Sequence, residues 1–144
     1  MNIAQQREAV IAEARTWLGT NYHHHAMVKG AGVDCAQILI AVYAACGLMP
    51  MVEIKDYAHD WHLHRSEEKY LGHIAKFMRP VDQPLPGDTA LFKFGHTISH
   101  GAIIVEWPYV IHSYIGLGVV LASADDAELS GRVAGFWTPF KDAE

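Results

Sequence analysis

Apolar residues recur with two different periods along this chain, and the change of period divides it in two. In the first part, Ile3, Val10, Ile11, Ala14, Trp17 and Leu18 fall on one helical face and Arg7, Glu8 and Glu13 lie off it. Asn2 stands where an N-cap belongs and Gly19 where the helix would stop. Residues 20–33 (TNYHHHAMVKGAGV) have no period and contain Gly30 and Gly32, which predicts a loop. Residues 36–46 (AQILIAVYAAC) are apolar almost all round, with Asp34 placed as N-cap and Gly47 and Pro50 behind them. That pattern predicts a helix buried inside the domain. Over 51–79, Trp61, Leu63, Tyr70, Leu71, Ile74, Phe77 and Met78 suggest one or two further helices, with His59, His62, His64 and His73 interspersed.

After the turn signal Pro84-Leu85-Pro86-Gly87-Asp88 the character changes to short β-type runs at 89–94, 101–106, 109–114, 119–123 and 133–137. Helices first and strands last argue for an α+β domain, with an antiparallel sheet packed on the helices rather than an alternating parallel fold. No internal repeat or low-complexity segment is present, and 144 residues fit a single domain over 1–144.

Composition narrows the function. A hydrophobic fraction of 51% with 19% charged residues describes an ordinary globule. The net charge of −5 and the lack of a Lys/Arg cluster argue against nucleic acid as a partner. Residues 1–17 lack the apolar run of a secretion signal or membrane span, so the expectation is a chain that stays where it is made. Cys35 and Cys46, about 16 Å apart on one helix at 1.5 Å per residue, are too distant for a disulfide and are expected to be free thiols.

Cys35 falls in the first turn of the buried helix, where backbone N–H groups and the helix dipole favour a thiolate. Those N–H groups are also candidates to hold the oxyanion formed when a thiolate attacks a carbonyl. A base must come from the strands, where His100 and His112 flank a hairpin turning at Glu106-Trp107-Pro108. With those three residues as the loop, 105 pairs with 109, 102 with 112 and 100 with 114. Both imidazoles then share a face, roughly 7–8 Å apart by α-carbon. A two-residue loop would shift the register by one and send them to opposite faces. In the shared-face arrangement His100 takes the thiol proton and protonates the leaving amine, while His112 fixes its tautomer.

The ordered set Thr20-Asn21-Tyr22, Lys29-Gly30-Ala31-Gly32-Val33-Asp34-Cys35, Pro86-Gly87-Asp88, Ser99-His100-Gly101-Ala102-Ile103-Ile104 and Val110-Ile111-His112-Ser113 resembles the NlpC/P60 peptidases over about residues 5 to 137. The loop with Tyr22, His24, Ala26 and Lys29-Gly30 is similar to the branch found in phage tails and gene transfer agents. The resemblance implies a papain-like fold with the nucleophile at a helix start, and cysteine peptidase or amidase activity on peptidoglycan stem peptides without a cofactor. Cys35 takes the nucleophile position, His100 the base and His112 the third polar position. Tyr22 matches the tyrosine beside the nucleophile, and Asp34 and His24 are expected to line the substrate or oxyanion region. Ala36-Gln37 departs from the Ser-Gly that commonly follows Asp-Cys in the family. Phage tail proteins are the partners this branch implies, with action in the periplasm after incorporation in a virion or tail.

Other readings compete. The run His23-His24-His25 and His59, His62, His64 and His73 raise a zinc site, but no HExxH or CxxC spacing is present, so no metal is expected. Trp61, Trp107 and Trp137 are too widely spread for a sugar platform and read as core. A structural tail component with little activity and a CHAP-type amidase remain the alternatives to the peptidase.

Overall fold

The structure, a computed structural model, describes residues 1–51, 71, 72 and 74–141. The expectations for Trp61, Leu63, Tyr70, His59, His62, His64 and His73 lie outside the described residues. Helix α1 spans Ile3–Arg15 and opens with a capping box: Asn2 accepts from the Gln5 N–H at 2.8 Å and the Gln5 side chain accepts from the Asn2 N–H at 3.0 Å. Val10, Ala14 and Trp17 are buried, whereas Leu18 is 40% exposed. The helix ends at Arg15 rather than running to Gly19, so the periodicity no longer governs where Leu18 points.

Helix α2, Cys35–Ala45, is buried from Cys35 through Tyr43, as its apolar sequence predicts. Between the helices, residues 20–33 are more ordered than a loop: β1 (Met27–Val28) and β2 (Gly32–Val33) form a small antiparallel pair, and Tyr22 makes a parallel bridge to Val33. No period-2 pattern marks two-residue strands, which is why the sequence concealed them.

The main sheet contains β3 (Arg79–Val81), β4 (Thr89–Phe94), β5 (Thr97–Glu106), β6 (Tyr109–Tyr114), β7 (Gly118–Ser123) and β8 (Val133–Thr138). It is antiparallel throughout, in the order β3-β8-β4-β5-β6-β7. Alternation gives it two apolar faces. Leu91, Ile103 and Ile111 join the core built on α1 and α2. Ala90, Phe92, Ala102, Ile104 and Val110 form a second core with Ala124 and Leu129 from the loop before β8. Among the described residues the sheet is thus covered on both sides, with α1 and α2 on one of them.

Two contacts fix the first core against the sheet. Gly101 lies where α2 meets β5: a β-carbon there would stand 2.8 Å from Leu39 Cδ1, so only glycine admits α2 this closely. The Pro86-Gly87-Asp88 turn is a clamp. Arg7 of α1 donates to Asp88 Oδ1 at 2.9 Å and to the Pro86 carbonyl at 2.8 Å. Tyr43 of α2 donates to the Gly87 carbonyl at 2.8 Å, and its oxygen is 2.7 Å from Thr89 Oγ1. That motif therefore holds the helices on β4.

Candidate active site

Asp34 organises the start of α2. Its Oδ1 accepts from the N–H groups of Ala36 (3.1 Å) and Gln37 (2.8 Å), and its Oδ2 accepts from the His25 N–H at 2.8 Å. His24 Nδ1 is 3.8 Å from the same Oδ2. Burial pushes the Asp34 carboxyl up, and the three N–H donors oppose that rise. The expectation that several helix-end amides hold an oxyanion needs correction, because the carboxylate already occupies those of Ala36 and Gln37.

Cys35 is the first residue of α2 and is buried, with Sγ 3.7 Å from the Ser99 carbonyl oxygen. Both cysteines are free thiols. Ser99 immediately precedes His100 on β5, and it is an extra residue in the ladder: Phe92 pairs with His100 and Lys93 with Ile98. Such a bulge bends a strand and re-aims the side chains beside it.

A fork between β5 and β6 opens the site. The turn joining them is the two-residue Trp107-Pro108, with a cis peptide bond, not the three-residue loop expected. A bulge at Val105 cancels the shift: Glu106 pairs with Tyr109, but Ile104 pairs with Val110 and Ile103 with Ile111, the register the longer loop would have given. The ladder then ends. The expected pairs 102–112 and 100–114 are not formed, and the strands diverge. The segment leading into α2 enters this gap. The Ser113 hydroxyl of β6 donates to the Val33 carbonyl at 2.8 Å, and the Cys35 thiol approaches Ser99 of β5.

Across the fork, His100 Nε2 and His112 Nδ1 are 2.7 Å apart. Both residues are buried, and Phe92, Phe94 and Tyr114 surround the His100 ring at centroid distances of 5.8, 5.7 and 5.7 Å. Burial, reinforced by the neighbouring His112, holds His100 well below the ordinary histidine range. Burial also lowers His112, to about 4, against the opposing pull of Asp126. Both are neutral at pH 7. Two tautomers fit the short contact. When His100 Nε2–H donates to His112 Nδ1, His100 Nδ1 is left unprotonated, as a base requires, and the proton of His112 sits on Nε2. Among the described residues that buried Nε2 has no hydrogen-bond partner.

Tyr22 reaches the same region through its backbone. The Asn21 carbonyl accepts from the Val33 N–H at 3.0 Å and the His23 N–H donates to the Val33 carbonyl at 3.2 Å, which sets Tyr22 alongside the approach to Cys35. Five of the six expected residues are thus connected by backbone or side-chain contacts at the start of α2 or across the fork, and Tyr22 lies beside them. Sequence reasoning missed Ser99, Ser113, Phe94 and Tyr114. Phe94 and Tyr114 were within reach of it, since they follow Phe92 and His112 by two residues and so share their face. Ser99 was not, because a bulge leaves no period. Among the described residues no group of three or more His, Cys, Asp or Glu side chains converges as metal ligands would, and no helix is long and apolar enough to cross a membrane.

No family model matches the sequence, and no curated protein matches it. Solved structures do. The NlpC/p60 domain of the peptidoglycan hydrolase SagA superposes with a TM-score of 0.59 at 22% identity, covering 92% of this chain and 97% of that one. An NlpC/P60 family protein from Bacillus cereus gives a TM-score of 0.67 at 18% identity, covering 90% of this chain but 39% of the larger protein. RipD from Mycobacterium tuberculosis, a non-catalytic NlpC/p60 domain protein adapted to peptidoglycan binding, gives 0.59 at 15% identity, with 93% and 96% covered. This chain, α+β with helices α1 and α2 beside a six-stranded antiparallel sheet among the described residues, has the NlpC/P60 fold.

Proposed function

We propose that this protein is a cysteine hydrolase that cleaves an amide bond in peptidoglycan stem peptides. The observation that carries the reading is the fork: the Cys35 thiol enters beside Ser99 while the next residue, His100, is held through Nε2 by His112. In the proposed reaction Cys35 Sγ attacks the carbonyl carbon, and His100 takes the thiol proton and delivers it to the leaving amine. A thioester remains. Water then attacks it with His100 as base, which releases the carboxylic acid and restores the thiol. In this reading the Cys35 amide and Tyr22 hold the developing oxyanion. Asp34 and His24 shape the adjoining wall.

The SagA domain belongs to a peptidoglycan hydrolase and RipD is non-catalytic, so the fold alone does not decide between cleavage and binding. Retention of Cys35, His100 and His112 favours cleavage. The resemblance of the Tyr22 to Gly30 loop to tail-associated members supports delivery by a phage tail or gene transfer agent, with action in the periplasm. The test is digestion of purified sacculi, read by mass spectrometry of the released fragments. Fragments with new amine and carboxyl ends are expected, and Cys35→Ala should reduce their formation at least about 10³-fold. Binding to sacculi with no fragments released would favour the non-catalytic reading.

A further inference from the structure

We propose that Arg132 selects substrates bearing a free carboxylate close to the scissile amide, an inference that rests on the peptide-hydrolase reading above. Arg132 closes the loop before β8 and is held there by its carbonyl, which accepts from the Lys93 N–H at 2.7 Å. Its guanidinium carbon lies 4.3 Å over the Phe94 ring, and the Phe94 ring stands edge-on to His100 at 5.7 Å. The cation is therefore at most about 10 Å from the centre of the His100 imidazole. An extended peptide advances about 3.3–3.6 Å per residue, so a group within three residues of the reacting carbonyl can reach it.

Among the described residues the guanidinium's hydrogen bond, Nη1 to the Lys93 carbonyl, is long at 3.4 Å. Arg7 and Lys29 have acidic partners in Asp88 and Glu13, but among the described residues none pairs with Arg132, although Asp125, Asp126 and Glu128 share its loop. A half-buried guanidinium stacked on an aromatic face is pre-oriented, and its fork of donors matches a carboxylate. Lys93 is exposed beside it and adds to the local positive potential.

The test uses synthetic stem peptides in pairs that differ only in whether one carboxylate is free or a carboxamide, taking each carboxylate in turn. Values of kcat/KM are measured for the wild type, Arg132→Gln and Arg132→Lys. For one pair the wild type should prefer the acid about tenfold or more, the scale of one charge-assisted hydrogen bond. Arg132→Gln should lose that preference by slowing only on the acid, with Arg132→Lys between. Equal cleavage of every pair by the wild type, or an equal loss on both members in Arg132→Gln, would mean that Arg132 merely packs on Phe94 and would overturn the inference. Cleavage of neither member of any pair by the wild type would instead sink the peptide-hydrolase reading, and this inference with it.

Discussion

An imidazole that takes a thiol proton at neutral pH must itself be unprotonated, and burial holds both His100 and His112 in that state. The low basicity of His100 disfavours a standing thiolate–imidazolium pair, so proton transfer belongs with the attack on the carbonyl rather than before it. The acid limb of kcat/KM should accordingly lie below pH 6.5. In the tautomer in which His100 Nε2–H is the donor, His112 acts through His100 by accepting that proton. His112→Asn keeps an acceptor for that proton and should stay within about tenfold of the wild type, whereas His112→Leu should lose about 10²-fold or more. Equal losses in the two, measured as kcat/KM on stem peptides, would show that the bond to His100 is not what His112 supplies.

At the scale of elements, what was legible followed from period. Asp34 before an all-apolar run marked the start of α2 to within one residue, and alternation over 109–114 marked β6 in full. The expected β5–β6 register holds only at Ile104–Val110 and Ile103–Ile111, and for a different reason. A shorter turn and a bulge at Val105 compensate each other, and neither has a local signature because a bulge forms where packing on the two sheet faces demands it. The end of that ladder was equally hidden, since it depends on Val33 and Cys35 entering from another part of the chain. Strand β3 carries Pro80 and lies at the sheet edge, where proline is tolerated and the pattern is weakest. The approach of α2 to β5 rests on Gly101. Gly101→Ala should cost roughly 1–3 kcal/mol of stability by overpacking Leu39, and by displacing α2 it should lower activity further than the stability loss explains. Unfolding in urea alongside activity would reveal unchanged behaviour in both if the contact were slack.

For the whole molecule the two histidines couple the site to acid stability. Their native affinities for protons are below the unfolded value of 6.5, so the unfolded chain binds protons first as pH falls. Stability is present above pH 6.5 and is lost towards the native value, about 4 for His112. At about 1.4 kcal/mol per pH unit, His112 alone should make the fold about 2 kcal/mol less stable at pH 5 than at pH 7. Asp34, raised by burial, works in the opposite sense, because its contribution is greatest below pH 3.8 and is lost as pH rises through its native value. Urea unfolding should therefore show a steeper loss between pH 7 and 5 in the wild type than in His112→Asn, and parallel curves would contradict the buried neutral pair.

Whether Cys35 is a nucleophile served by His100 can be read from site-resolved alkylation by a small thiol reagent from about pH 5 to 9, with peptide mapping. Cys46 provides the internal control, a half-buried thiol that burial pushes up. Cys35 should label faster than Cys46 at neutral pH, with His100 drawing off the proton as the bond forms, and His100→Ala should remove that advantage. Labelling of Cys35 no faster than Cys46, or unchanged by His100→Ala, would contradict the account and leave a fold that binds without cutting.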